Sequence, residues 1–444
     1  VLAVAQCGIG AAWSSPYLMI LTAENSTLPL TLDEASWVAS LLNLGRIPGA
    51  VVGGVAAQTF GSKMGVLMGT VPWAVGWVLI GLAADATWLY IARICSGFGM
   101  GMLFSAFPLY LGEIADPSIR GCLISIALFG GSIGNVFVTL VALFADLQVS
   151  SLIYLLLCVV FIVSFSLLPE SPHHLARSGN FEKTKRSIRW YDRGCDVEQS
   201  FTSVTKFVES SSALTSADRF AEFKRPELRK GLMVVLILFI YSQTSGLSTT
   251  IFYMEKIFTD AKVTVIPPST LVIIESAVAI AGLALSMYLI DRLGRRSLLI
   301  ISTAGVIIGF SMLCVHFILL DNGFDSTILQ ALPIVAMTVY QLNAVGFLTV
   351  PSTVLSESLP PSVKCIASCA GNAIGATTGF ISSKTFQMLL NAVGHEYVYW
   401  IYAGLLVTAV PFTIFCMPET KGKSLQQIQE EMTKGNQRKI TQTT

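Results

Sequence analysis

Apolar residues along this chain fall in long unbroken runs, not in the alternation of a strand or the one-sided stripe of a water-facing helix. A helix crossing the hydrocarbon of a bilayer needs about 20 mostly apolar residues. Runs of that length lie near 1–21, 35–60, 66–83, 88–111, 121–145, 151–168, 231–254, 270–290, 298–320, 328–355, 365–390 and 397–417. They come as six, a gap and six. The pattern predicts an all-α polytopic membrane protein with twelve transmembrane helices, spans 1 to 12, in two pseudo-symmetric six-helix bundles. The N-terminal bundle covers 1–168 and the C-terminal bundle 231–417. A linker with short amphipathic helices occupies 169–230, and a tail follows over 418–444. The chain opens at Val1 inside an apolar run, so a native N-terminal segment is expected before it.

Basic residues give this arrangement a direction. Of the 28 Lys and Arg, 23 fall in the linker, in the tail or in loops on their side. Only Lys256 and Lys262 fall in loops of the opposite side, while Arg46, Arg93 and Lys384 lie within spans. Such an excess marks the cytoplasmic face. We therefore expect a multi-pass protein of the cell membrane with linker and C-terminus cytoplasmic. Asn25-Ser26-Thr27 then falls in an outer loop, where a sequon can be glycosylated at Asn25.

Composition narrows the functional classes. The chain is 53% hydrophobic and 12% charged, with mean hydropathy +0.68, too little charge to cover a water-facing surface of this size. A net charge of +1 gives no basic face for nucleic acid. The nine cysteines form no CxxC pair, and neither they nor the four histidines have metal-ligand spacing, so neither a metal nor a cofactor is expected. No nucleophile, base and orienting group fall together, and no phosphate-binding loop is present, which argues against an enzyme. Gly97-Phe98-Gly99-Met100-Gly101 lies inside span 4, where small residues let helices approach closely. The expected partners are the lipid bilayer and a small solute, with the monomer as the functional unit.

The linker-side loops repeat between halves. Glu113-Ile-Ala-Asp-Pro117-Ser118-Ile-Arg120 after span 4 matches Glu357-Ser-Leu-Pro-Pro361-Ser362-Val-Lys364 after span 10. Pro169-Glu170-Ser171 after span 6 matches Pro418-Glu419-Thr420 after span 12, and Gln58 to Lys63 is a worn copy of Asp291 to Arg296. Repeats of this kind are characteristic of transporters. Opposite charges collected on one side can hold that side shut through a partly buried salt-bridge network.

At these residues the chain resembles the sugar porter family of the major facilitator superfamily, closest to its insect facilitative trehalose and hexose transporters. The motifs are Arg93 with Gly97 to Gly101, Pro108 to Glu113 leading to Arg120-Gly121, and Pro169 to Pro172. The linker stretch Trp190 to Glu198, Asp291 to Arg296, Glu357 to Pro360, and Pro418 to Gly422 complete them. The resemblance implies two bundles around a midplane cavity that opens to either face in turn. It also implies a cytoplasmic lock of Arg93, Glu113, Arg120, Glu170, Asp291, Arg292, Arg295, Arg296, Glu357, Lys364 and Glu419. Its N-terminal copy has lost an acid and two bases, which predicts a looser lock there and an inward-facing bias.

The sugar pocket departs from the family pattern. The family's paired glutamines and asparagine on span 7 are reduced to Gln243 among Ser242, Ser245 and Ser248, with Tyr253 kept at the outer gate. Leu128, Ser352, Gly375 and Ala376 stand where the family often has a glutamine, a tryptophan, an asparagine and a tryptophan. Asn135, Asn343 and Asn372 either replace them in the cavity or are packing amides between helices. Arg46, in the middle of span 2, is a candidate functional charge, or else snorkels or caps backbone near Pro48. Glu275 is the acid inside span 8, and span 1 carries no carboxylate, which favours uniport over proton symport. The expected function is facilitative carriage of a sugar or sugar-like solute by alternating access. The alternatives are a non-sugar solute or a transport-impaired sensor on the same scaffold.

Overall fold

The computed structural model describes residues 1–26, 28–115, 120–192, 194, 196–212, 222–423 and 427–428. Among them the secondary structure is helical, with no strand. In the N-terminal half the spans are Leu2–Ala12 with Ser14–Leu21, Leu32–Thr59, Ser62–Gly81, Ala86–Ile114, Arg120–Phe144 and Leu147–Ser166. In the C-terminal half they are Pro226–Thr244 with Leu247–Asp260, Pro268–Leu293, Arg295–Asp321, Ala331–Ala344 with Gly346–Ser358, Pro361–Val393, and His395–Val407 with Ala409–Phe415. Ten of these are long and apolar enough to cross a bilayer by length and composition alone. Of the other two, span 1 is interrupted at Trp13. Span 11 is rich in Ser, Thr, Asn and Gly because it faces the other bundle and not lipid alone.

Local chemistry sets the ends and breaks. Span 2 begins at a capping box: Glu34 N–H donates to Thr31 Oγ1 at 3.3 Å, and the Thr31 N–H donates to Glu34 Oε2 at 2.9 Å. Span 7 breaks where Gly246 takes φ +82°, a conformation costly for any side chain. The carbonyl of Ser245 freed by that break accepts from the Tyr340 hydroxyl of span 10 at 3.1 Å. The break therefore leaves no orphan acceptor at this point in the hydrocarbon.

The bundles pack by close backbone approach. Along spans 2 and 4, Gly45, Gly49 and Gly53 alternate with Gly97 and Gly101, and a Cβ at any of them would collide with the facing backbone. Between bundles, span 2 lies against span 11 and span 5 against span 8. Span 2 meets span 11 at both ends. On the linker side Gln58 Nε2 donates to Cys365 Sγ at 3.2 Å, and Cys369 Sγ fills the space over Gly54. On the far side Lys384 Nζ donates to Asp33 Oδ1 at 2.8 Å while resting 4.1 Å from the Trp37 ring centroid. The linker-side ends of these two helices therefore touch.

Three short helices follow span 6: Pro172–Arg177, Phe181–Tyr191 and Val197–Ser212. Phe181–Tyr191 buries Thr184, Ser187 and Ile188 and leaves its basic residues largely outward.

Replacing Gly49 or Gly101 with Val should separate spans 2 and 4. Overpacking of this kind costs about 1–3 kcal/mol or more, read as a fall in the detergent melting temperature and in the monodisperse peak on size exclusion. Gly112, beside which a Cβ meets nothing, is the control: Gly112→Ala should leave both unchanged.

Candidate functional site

Where span 7 breaks, its polar residues face the seam between bundles. Ser248 Oγ donates to Gln243 Oε1 at 2.6 Å. Span 11 passes this pair at Gly379, where a Cβ would lie 2.8 Å from Gln243 Oε1 and 3.1 Å from Nδ2 of Asn43 on span 2. Two amides, one from each bundle, thus converge on a bare stretch of backbone. Asn43 is 1% exposed, and its Nδ2 has no partner. One turn before Gln243, Phe239 covers Gly375 and Gly371 of span 11; a Cβ at Gly375 would lie 3.3 Å from the Phe239 ring. Span 7 thereby supplies an aromatic face next to the place where span 11 has none. Amides offer both donors and acceptors, so the set suits a hydroxylated ligand.

Other candidate pocket residues lie elsewhere. Ser242 donates to the Phe239 carbonyl of its own helix at 3.1 Å. Tyr253 is buried on Phe386, with ring centroids 5.1 Å apart, under the far face. Asn135 is a packing amide: assigned so that its nitrogen faces the acceptors, it donates to the carbonyls of Gly8 at 2.9 Å and Gly131 at 3.1 Å, tying span 5 to span 1. Asn343 donates to Val339 O at 2.8 Å and faces Gly305 of span 9, inside its own bundle. Asn372 donates to Ser368 O at 3.0 Å, and Ser352 is exposed and turned back to Leu348 O. Asn25 is exposed, while Thr27 of its sequon lies outside the described residues.

The linker-side charges form two sets of contacts, one per bundle, that mirror each other. In the C-terminal set Arg295 grips Glu357 with two nitrogens, at 3.1 Å and 2.6 Å, and lies 3.5 Å from Asp291. Arg296 Nε donates to the Met417 carbonyl, and Lys421 Nζ to that of Arg292. Arg292 itself lies over Tyr288, and Lys364 Nζ donates to the Ser356 carbonyl. In the N-terminal set Ser62 stands for Arg295 and donates to Glu113 at 2.5 Å. Lys63 stands for Arg296 and donates to the carbonyls of Ser166 and Leu168. Gly61 and Gly294, at φ +98° and +90°, make the same turn before each. Glu170 accepts from the Ser171 N–H, and Glu419 from that of Thr420. These bonds run within bundles and not across the seam. Arg120 has a side chain outside the described residues.

Arg93 is not part of this set. It is fully buried toward the far face, where it donates to Val38 O, Gly10 O and Ser14 Oγ and stacks over Trp13, 5.2 Å from the ring centroid. Its position in the motif suggested a lock; its surroundings make it the bracket of spans 1, 2 and 4. Glu275 is buried and accepts from Thr338 of span 10 at 2.9 Å, and among the described residues it makes no ion pair with Arg46. Asn43, Phe239, Gly379 and the Lys384–Asp33 bridge were missed from sequence. The available signals were Asn43 three residues before Arg46 and Phe239 four before Gln243, spacings that share a helix face.

The fold and site together define a polytopic solute carrier of the major facilitator type. The family model described as "Sugar (and other) transporter" matches residues 11–432, and the chain belongs to that family. It is 29% identical over 433 residues to a facilitated trehalose transporter of Bombyx mori, covering 97% of this chain and 85% of the relative. It is 30% identical over 431 residues to one of Polypedilum vanderplanki, covering 96% and 85%. Against the Aedes aegypti relative, 29% identical, it spans 96% of its own length but 53% of the other. Among solved structures, the inward-open xylose transporter XylE of E. coli superposes with TM-score 0.78 at 20% identity over 97% of both chains. XylE bound to 6-bromo-6-deoxy-D-glucose gives 0.76 at 20% identity over 97% of this chain and 98% of that one.

Two predictions follow from the paired charge sets. Glu357→Gln removes a bidentate charge-assisted contact and should cost about 1–3 kcal/mol. Glu113→Gln, whose partner is one hydroxyl, should cost well under half of that; equal losses of melting temperature would contradict the asymmetry. Burial raises the Glu419 carboxyl, but N–H groups of Lys421, Arg296, Arg295 and Thr420 outweigh it and hold the pKa below the usual carboxylate value. A depressed folded pKa contributes stability above the ordinary carboxylate pKa and loses it as pH falls through the folded value. The melting temperature should therefore drop on acidification in that window, and drop less in Glu419→Gln.

Proposed function

We propose that this chain is a facilitative carrier that moves a sugar or sugar-like solute down its gradient by rocking two bundles about the seam of spans 2 and 11. The observation that carries this reading is the convergence of Asn43, Gln243 and Ser248 on Gly379, beside Phe239, at the break of span 7. Donors and acceptors from both bundles meet there, so a ligand bound between them is held by both and couples binding to closure. The trehalose transporters among its relatives and the sugar-bound XylE support sugar as the solute class. We propose that the protein works as a monomer in the cell membrane; the distribution of its basic residues supports a cytoplasmic linker and tail.

The test is uptake into proteoliposomes of labelled glucose, trehalose and glucuronate. At least one should enter saturably, exchange with unlabelled solute preloaded inside, and stop at equilibrium without an imposed proton gradient. Uptake of none of them would overturn the reading. Gln243→Leu leaves ligand hydroxyls unpaired, about 1–3 kcal/mol, and should weaken apparent affinity at least fivefold without lowering the ligand-free melting temperature. A destabilised variant with normal affinity would make Gln243 a packing residue.

A further inference from the structure

One charge in the middle of a span has no counter-ion among the described residues. Arg46 lies near the centre of Leu32–Thr59; at 1.5 Å per residue it is about 20 Å from either helix end, beyond the reach of a snorkelling side chain. It is partly accessible, unlike Arg93. One nitrogen, Nη1, donates to Asn43 Oδ1 at 2.8 Å, and the guanidinium carbon lies 5.7 Å from the Phe104 ring centroid. Among the described residues no carboxylate lies within 4 Å of it. Arg93 shows what a structural arginine looks like in this fold: all three of its guanidinium nitrogens are bonded and none is accessible.

The bond to Arg46 also orients Asn43. With Oδ1 occupied, the amide points Nδ2 at Gly379 and Gln243, where it is buried and has no partner. A cation with spare donors, an unspent amide donor and the Gln243–Ser248 pair thus lie in sequence across the seam. A charge in hydrocarbon is costly unless paired. The partners of this one among the described residues are the Asn43 oxygen and the Phe104 ring, and neither carries a negative charge.

We propose that Arg46 and Asn43 bind a carboxylate, and that the preferred substrates are hydroxylated carboxylates of the sugar-acid class. This deepens the carrier reading and rests on it. Guanidinium donors match the two oxygens of a carboxylate, while Gln243 and Ser248 meet the hydroxyls farther along. The carrier returns empty, so each cycle of net uptake moves one negative charge.

The experiment compares glucuronate with glucose in the same proteoliposomes. The unmodified chain should carry glucuronate at least tenfold more efficiently in Vmax/KM. An inside-positive potential set by potassium and valinomycin should speed glucuronate uptake and leave glucose uptake unchanged. Arg46→Gln should reduce the glucuronate-over-glucose ratio at least tenfold, and Arg46→Lys should keep most of it. A wild-type preference for glucose, potential-independent glucuronate uptake, or an unchanged ratio in Arg46→Gln would each overturn the proposal. If the Gln variant does not fold, the potential dependence and the wild-type ratio still decide. Saturable trehalose or glucose uptake with weak glucuronate uptake refutes the anion site alone; no saturable uptake of any probe refutes the carrier reading beneath it.

Discussion

Inside a bilayer a polar group cannot fall back on water, so each one must find a partner in the protein. In this chain that demand organises most of the polar residues within the spans. Arg93 gives its guanidinium to two carbonyls and a hydroxyl and so fastens three helices. Tyr340 satisfies the carbonyl exposed where span 7 breaks. Lys63 and Arg296 each donate to carbonyls where the last helix of a bundle ends. Among the groups this pairing leaves over, Asn43 Nδ2 and most of Arg46 lie at the seam between bundles.

The same demand gives the repeat a physical meaning. The turn before span 3 and the turn before span 9 both use a glycine in the positive-φ region, followed by a residue reaching the acid of span 4 or span 10. Replacing arginine by serine at that step keeps the hydrogen bond and discards the ion pair. The two bundles therefore share a frame and differ in how firmly their linker ends are tied. Because each network closes within its own bundle, it stiffens a rocking unit. On the carrier reading, the contacts that part lie between bundles, those of spans 2 and 11 among them.

Much of this could be read before the structure was known. Run length gave the spans, and the spacing of Glu113, Glu357, Pro169 and Pro418 gave the repeat. Glycines 97, 99 and 101 were read as packing residues, and they lie against spans 2 and 3. The pocket was harder. An asparagine in a span has the same local sequence whether it faces a cavity or a neighbouring glycine, so Asn135 and Asn343 looked like Asn43. Only the helix rotation separates them: Gly8 and Gly305 face the first two, and the seam faces the third. Arg93 was misplaced for a related reason, since a motif shared with linker-side residues does not say at what depth its arginine sits.

The central claim is that transport requires spans 2 and 11 to separate at their linker ends, where Gln58 now touches Cys365. The direct measurement is uptake by Gln58→Cys with Cys365 retained and the other cysteines replaced by serine, before and after joining the two thiols with a short cleavable cross-linker. The account predicts that the cross-linked carrier stops transporting and recovers when the bridge is reduced. Undiminished uptake with the bridge intact would contradict it.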